Sequence, residues 1–339
     1  MFDLKNEEMA LPNCPWLQGQ YTVSKPICPF PVQINRHYGS AHEHTIDWVN
    51  RYGLVQPNSP QSLRFPRAQF AKLAALTHPD VEQEDLNLTT DWHSWLFAHD
   101  DICDDSNIGR HAEQLRAMDL PLLNQLRGVS APNPKFPLSV ALDNILRRIE
   151  ARTDSRWLHR FSKHVEEYLS SNVWEARNRQ NGIPPALNDY IKMRRYTGAV
   201  LSCFDLIFIV EDLSPDECGW INDRPMIELE ATANNHICWI NDIFGLDKEI
   251  RENNINNLVL VLQNQDSCDL QKAVDTAIDL CNAQVRNFTN LADKQISSPD
   301  RFSRREIQAM ERYIKGMKSW MSGHLVWYQH TGRYLPRDN

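Results

Sequence analysis

The sequence predicts an all-α protein: one helical bundle preceded by an extended N-terminal arm. Apolar residues recur at helical spacing from about Glu43 onward, and no segment sustains the two-residue alternation of a half-buried strand. Glycine is also scarce, with 12 in 339 residues, and prolines gather in the first forty positions and at a few short breaks.

Taken in order, prolines at 12, 15, 26, 29 and 31 disfavour regular structure and predict an arm over residues 1–42. Helices are then expected at roughly 43–53, 67–76, 84–103, 112–128, 137–151, 155–180, 187–212, 224–248, 255–264, 268–294 and 303–331. Breakers separate them. Pro57-Asn58-Ser59-Pro60 divides the first two, and Pro132-Asn133-Pro134 precedes the helix at 137. Gly182-Ile183-Pro184-Pro185, Ser214-Pro215 and Ser298-Pro299 mark later limits, and the 187–212 segment should kink near Gly198. No composition shift, repeat or low-complexity tract divides 43–339, which reads as one domain.

With 42% hydrophobic and 24% charged residues the chain can bury a sizeable core. A net charge of -8 without a Lys/Arg cluster argues against a nucleic-acid surface and for a small partner. The start, Met1 to Glu8, has no basic segment followed by an apolar run, so no signal peptide is read and a cytoplasmic location is expected. The eight cysteines contain no C-x-x-C pair, which fits buried or idle thiols better than zinc or a disulfide framework. The apolar run Ala199–Val210 is broken by Asp205 and is too short to span a bilayer, so it reads as a core helix.

Two acidic patterns carry the chemistry. The first is His99-Asp100-Asp101-Ile102-Cys103-Asp104-Asp105, and the second is Asn241-Asp242-Ile243-Phe244-Gly245-Leu246-Asp247-Lys248-Glu249. On a helix Asp100 and Asp104 lie roughly 40° apart, while Asn241, Gly245 and Glu249 form a stripe of roughly 80°. Hard oxygen donors on two facing helices suit Mg²⁺, which completes its shell with water and substrate phosphates, so the implied ligand is a phosphate ester. Taken alone, the first run also suits a solvated helix end, but it follows the apolar Trp92-His93-Ser94-Trp95-Leu96-Phe97, and its carboxylates oppose the macrodipole unless a cation compensates them. Asn241 and Asp242 directly follow apolar Ile237-Cys238-Trp239-Ile240, where buried polar groups need partners. Read alone, Asn241 and Glu249 also suit an exposed face with Lys248 as a pairing partner. Arg194-Arg195, within Tyr190 to Gly198, offers a guanidinium fork for phosphate oxygens, and Arg333-Tyr334 follows Trp327 near the end of the chain.

In this combination the chain resembles a class I terpene synthase of the bacterial type. The aspartate-rich motif matches as Asp100-Asp101-x-x-Asp104, and the second metal motif as Asn241-Asp242-x-x-Gly245-x-x-Lys248-Glu249. Trp174-Glu175-Ala176 through Pro184-Pro185 to Tyr190 and Arg194-Arg195, and the Arg333-Tyr334 tail, extend the likeness from about Pro29 to Tyr334. The resemblance implies a helical α domain over 43–339, a carbon–oxygen lyase activity and a trinuclear Mg²⁺ cluster at Asp100, Asn241, Gly245 and Glu249, with Asp104 in support. It implies that Arg194 senses diphosphate, that Thr197 is a linker and Gly198 a helix-break effector, and that Lys248, Arg333 and Tyr334 donate to diphosphate oxygens. Gly245 departs from the pattern by lacking the usual hydroxyl ligand, whose place a water would take. Cavity aromatics are expected among Phe97, Trp92, Phe204, Phe208, Trp174 and Trp327, and closing loops at 251–257 and 330–338. Farnesyl diphosphate is the default substrate, with geranyl and geranylgeranyl diphosphates as alternatives, and a monomer or homodimer is allowed.

Other readings are weaker. A chain-elongating prenyl diphosphate synthase would carry a second D-D-x-x-D, and a protonation-initiated cyclase a D-x-D-D; neither is present. His99-Asp100 would alternatively be the core of an HD-type metal phosphohydrolase, with His78 or His93 upstream, which leaves 241–249 without a role. A protein that only binds an isoprenoid would suit Gly245.

Overall fold

The computed structural model describes residues 21–56, 58–297, 301–328 and 330–334, and among these all regular structure is helical. After an extended run at 21–36 come α1 (Tyr38–Arg51), α2 (Pro60–Ala68), α3 (Phe70–Thr77) and α4 (Gln83–Asp105). The middle of the bundle is α5 (Ala112–Leu126), α6 (Pro137–Glu150), α7 (Ser155–Asn181), α8 (Leu187–Thr197) and α9 (Val200–Val210). It closes with α10 (Arg224–Arg251), α11 (Leu258–Asp266), α12 (Leu270–Ile296) and α13 (Arg304–Trp327).

The helical class expected from periodicity is the one observed, with informative differences at the breakers. Pro60 begins α2: the Ser59 hydroxyl caps the Ser62 amide at 3.2 Å, and proline suits the first helical position because its missing N–H would be unpaired there anyway. The expected 187–212 helix is two helices, α8 and α9, parted at Gly198 and Ala199, and Ala199 takes a left-handed φ of 54°, a strained backbone for a residue with a Cβ. The expected break at Ser298-Pro299 lies outside the described residues.

Helix α10 packs along α12 and against α13 and α8, α4 packs against α1, α3 and α6, and α7 against α5 and α9. Helix α9 is apolar nearly all round and buried, yet it carries Asp205. That carboxylate is held by Arg160 Nε at 2.7 Å and by His164 Nδ1 at 2.6 Å, and the same guanidinium donates to Glu230 at 2.8 Å. Tyr313 also donates to Glu230 at 2.5 Å, so one satisfied network ties α7, α9, α10 and α13 at this end of the core.

The extended run lies over the domain through specific contacts. Tyr21 donates to Asp247 at 2.8 Å, the Ile27 amide to Asn282 at 2.7 Å, and Phe30 meets Phe288 edge-on at 5.6 Å. Among the described residues no helix is long and apolar enough to cross a membrane. Seven cysteines are free; Cys14 lies outside the described residues.

Besides His99, the histidines His78, His93, His236 and His324 are buried, and for these four burial shifts the titration. Burial lowers their proton affinity, to about 3 for His78 and His324 and to about 4 for His236, and His93 falls well below the usual value of 6.5. Because the unfolded chain takes up protons near pH 6.5 while the folded one does not, stability is full above that pH and falls as acid is added. Urea titrations between pH 7 and pH 4 should show this loss, each such histidine adding up to about 1.4 kcal/mol per pH unit, and His236→Phe should flatten the slope.

Candidate active site

The two acidic motifs sit on the C-terminal turns of α4 and α10, so both sets of carboxylates oppose the dipole of their own helix. Cations compensate them. Arg333 Nη2 donates to Asp100 at 2.6 Å and Nη1 to Asp101 at 2.8 Å, while Lys248 Nζ bridges from α10 to Asp104 on α4 at 3.0 Å. Burial, followed by the Asp104 charge, raises the carboxyl of Asp100. Burial acts the same way on Asp104, but Lys248 and Arg179 outweigh it and hold that carboxyl low.

On α10, Arg194 reaches across from α8 and donates from Nη2 to Asn241 Oδ1 and from Nε to Asp242 Oδ1, each at 2.9 Å. Asp242 is fully buried and accepts further from the Tyr190 hydroxyl at 2.6 Å and the Leu258 amide at 3.1 Å. Asn241 donates to the hydroxyls of Tyr328 at 2.7 Å and Tyr334 at 2.9 Å. Glu249 is held through one oxygen by Asn257 at 2.6 Å. Its carboxyl is raised well above the usual range, by burial and then by the Asp242 charge.

The structure thus brings Asp100, Asp104, Asn241, Glu249, Arg194, Lys248, Arg333 and Tyr334 into one connected region, with Thr197 accepting from Arg194 at 3.4 Å. Gly245 belongs to it: a Cβ placed there would lie 3.2 Å from Glu249 Oε1 and 3.5 Å from the Tyr334 ring. Among the described residues no three His, Cys, Asp or Glu side chains converge as a ready metal cage, since the carboxylates are engaged by cations and amides. The donor set nevertheless fits a divalent ion. It consists of hard oxygens, it carries a partly buried carboxyl at Glu249 whose ionisation the surroundings oppose, and a cation would relieve that opposition.

The aromatics divide. Phe97 stacks on Phe70 at 4.2 Å, lies 5.8 Å from Trp327 and carries the Arg333 guanidinium over its ring at 4.5 Å. Phe204 lies 6.5 Å from Trp320, and Trp92 stacks on Trp95 and bonds Ser202, deeper in the core. Phe208 is sandwiched between Trp157 and Tyr313, each at 4.2 Å, beside the Arg160 network and away from the acidic motifs.

Several participants were not singled out from sequence. From sequence Asp242 reads as a motif letter and a buried group needing a partner, Glu175 and Asp101 as motif letters, Tyr328 as part of the run from Trp327 to Tyr334, and Asn257 as the end of a closing loop, none with a role of its own. Glu175 is partly buried and raised by burial, with Arg179 and Arg194 opposing. The phosphohydrolase alternative loses its metal ligand: His99 spends Nδ1 on Tyr168 and Nε2 on Asp119, both at 2.9 Å. Of the expected closing segments, 251–257 is described throughout and 330–338 only as far as Tyr334. A surface hollow of about 580 Å³ between residues 32–36 and 79–82 contains none of the motif residues.

Comparison with known proteins bears on the family and the fold. Residues 91–287 match the family model described as terpene synthase family 2, C-terminal metal binding, a match that implies a divalent metal. The chain is 34% identical to (+)-T-muurolol synthase ((2E,6E)-farnesyl diphosphate cyclizing) of Roseiflexus castenholzii, over 91% of this chain and 93% of that protein. It is 33% identical to germacrene A synthase of Nostoc punctiforme over the same shares. In three dimensions it is similar to germacradien-4-ol synthase from Streptomyces citricolor, with a TM-score of 0.78 and 25% identity over 91% of this chain and 99% of that one.

The break between α8 and α9 supplies a test of packing at this site. A Cβ on Gly198 would lie 2.3 Å from Cys238 Sγ. Gly198→Ala should therefore cost roughly 1–3 kcal/mol in a urea titration, and adding Cys238→Ala should recover most of it; independent, additive losses would refute this contact as the cause.

Proposed function

This chain belongs to the terpene synthase family, and we propose that it is a class I sesquiterpene synthase that ionises farnesyl diphosphate and cyclises the resulting carbocation. The observation that carries the reading is the way Arg333-Tyr334 and Lys248 tie the acidic ends of α4 and α10 together, since those same groups suit a diphosphate. Asp100, Asp104, Asn241 and Glu249, with Gly245 beside them, would hold Mg²⁺ as the trinuclear cluster of the family. When bound, Mg²⁺ neutralises diphosphate oxygens and so makes diphosphate a better leaving group.

The rest is work for this chain's own side chains. Arg194, Lys248 and Arg333 now spend their donors on Asp242 and Asn241, on Asp104, and on Asp100 and Asp101. An incoming diphosphate offers oxygens of higher charge, so Lys248 and Arg333 would exchange carboxylate for phosphate and free Asp100 and Asp104. Arg194 and Tyr334 would donate beside them, and the allylic C–O bond would break with both electrons leaving on diphosphate. The polarised backbone at Thr197 and Gly198, between α8 and α9, would face the positive charge that develops. Phe97 and Trp327, with Phe204 and Trp92 deeper in the core, would exclude water and present their negative ring faces to cationic carbon. In the same reading the extended run at 21–36 is an arm over an α domain that begins with α1 at Tyr38, earlier than the expected residue 43, and the enzyme is cytoplasmic, as a monomer or homodimer.

Purified protein given farnesyl diphosphate and Mg²⁺ should release diphosphate and a sesquiterpene, and excess EDTA should abolish both. Asn241→Ala and Arg333→Ala should each lower kcat/KM by roughly 100-fold or more. Turnover that survives EDTA, or a preference for geranyl or geranylgeranyl diphosphate in a parallel incubation, would count against this assignment.

A further inference from the structure

Below the acidic end, the interior carries a polar layer that the chemistry above does not use. Four buried histidines approach one another from four elements: His78 at the C-terminal cap of α3, His93 on α4, His236 on α10 and His324 on α13. His93 precedes Asp100 by two helical turns on the same face of α4, about 10 Å along the axis. Its ring lies 6.5 Å from His78 and 5.1 Å, edge to face, from Trp320. His324 follows Trp320 by one turn and meets Tyr328 at 5.0 Å, and the Tyr328 hydroxyl in turn accepts from Asn241. A column of side chains therefore descends from Asn241 through Tyr328, His324 and Trp320 to His93 and His78.

The polar atoms in this layer are unsatisfied. His78 Nε2, both ring nitrogens of His93 and His236, and His324 Nδ1 have no hydrogen-bond partner among the described residues, nor does the indole nitrogen of Trp320. Each buried unsatisfied group costs about 1–3 kcal/mol, so a layer of this size is a poor way to fill a core that leucine and phenylalanine could fill. A neutral imidazole offers one donor and one acceptor and an indole one donor, which together supply the two to four partners that an interior water needs. Burial keeps these imidazoles neutral, and His78 and His324 further oppose a charge on His93, so each ring keeps one unprotonated nitrogen at neutral pH, which accepts a proton only from a strong acid such as an oxonium ion.

We propose that His93 and His324, with Trp320, hold a water molecule within reach of the cyclised carbocation, so that this enzyme's product is a cyclic terpene alcohol. The proposal rests on the terpene synthase reading above. The water oxygen donates a lone pair to the cationic carbon and forms the C–O bond. The oxonium passes its extra proton to a free imidazole nitrogen of His93, giving a neutral alcohol and an imidazolium, which returns the proton to solvent as products leave. No oxidant or second substrate is required.

The test uses the full chain with farnesyl diphosphate and Mg²⁺ in ¹⁸O-water, with products read by mass and diphosphate release followed separately. The expected product is a cyclic alcohol carrying ¹⁸O. His93→Leu and His324→Leu should each lower the ratio of alcohol to hydrocarbon at least tenfold, whereas His93→Gln, which can still hold the water by a donor and an acceptor but lacks the basic nitrogen, should retain more of the alcohol than His93→Leu. Should a leucine variant fail to fold, the remaining leucine variant and His93→Gln carry the comparison. Hydrocarbon alone from the unaltered enzyme, or an unchanged ratio in the leucine variants, overturns the role of the histidines while leaving ionisation intact. Linear farnesol without ¹⁸O, or no diphosphate release, overturns the terpene synthase reading and this proposal with it.

Discussion

Carboxylates gathered at the C-terminal ends of α4 and α10 oppose the dipoles of both helices, and the arrangement of the site follows from how that negative charge is compensated. Lys248 and Arg333 each cross from another element to do so. Arg194 does the same for Asp242, which is fully buried and accepts from three donors. Removing one partner of such a pair typically costs 3–5 kcal/mol because the other charge is left buried, so α8, α10 and the tail after α13 are coupled electrostatically. The cations are matched by their carboxylates rather than free, and a ligand with more negative oxygens competes directly for them.

A second ionic network, Arg160 with Asp205, His164 and Glu230, binds α7, α9 and α10 and has a different character. Its groups satisfy one another and lie beside the Phe208, Trp157 and Tyr313 stack. Nothing there resembles the hard oxygen set of the acidic end, and its effect is to make burial of α9 tolerable. One network stabilises the bundle; the other, in the proposed mechanism, exchanges partners with diphosphate. Between them lies the histidine layer, polar yet uncompensated, which is the expected condition of groups kept for function instead of packing.

Much of the fold was legible because helical periodicity is local: the apolar stripes, the spacing within each acidic motif and the breakers lie along one stretch of chain. Pro60 was misread because a proline after a capping serine starts a helix, while the same residue elsewhere stops one. Gly198 was read correctly as a break, although the strained residue is its neighbour Ala199. Motif spacing also indicated which faces of α4 and α10 carry the acidic groups, and the family resemblance added the tail.

The sequence by itself therefore determined the helical class, the limits of most helices and the chemical type of the acidic stripes. Only the tertiary structure decided that Arg333 meets Asp100 and Asp101, that Tyr328 and Tyr334 share Asn241, that His99 is spent on Tyr168 and Asp119, and that four separate histidines form one layer. The physical reason is that spacing along a helix sets the direction of a side chain relative to its own axis, whereas its partner is set by how distant helices cross and pack, which no local pattern encodes.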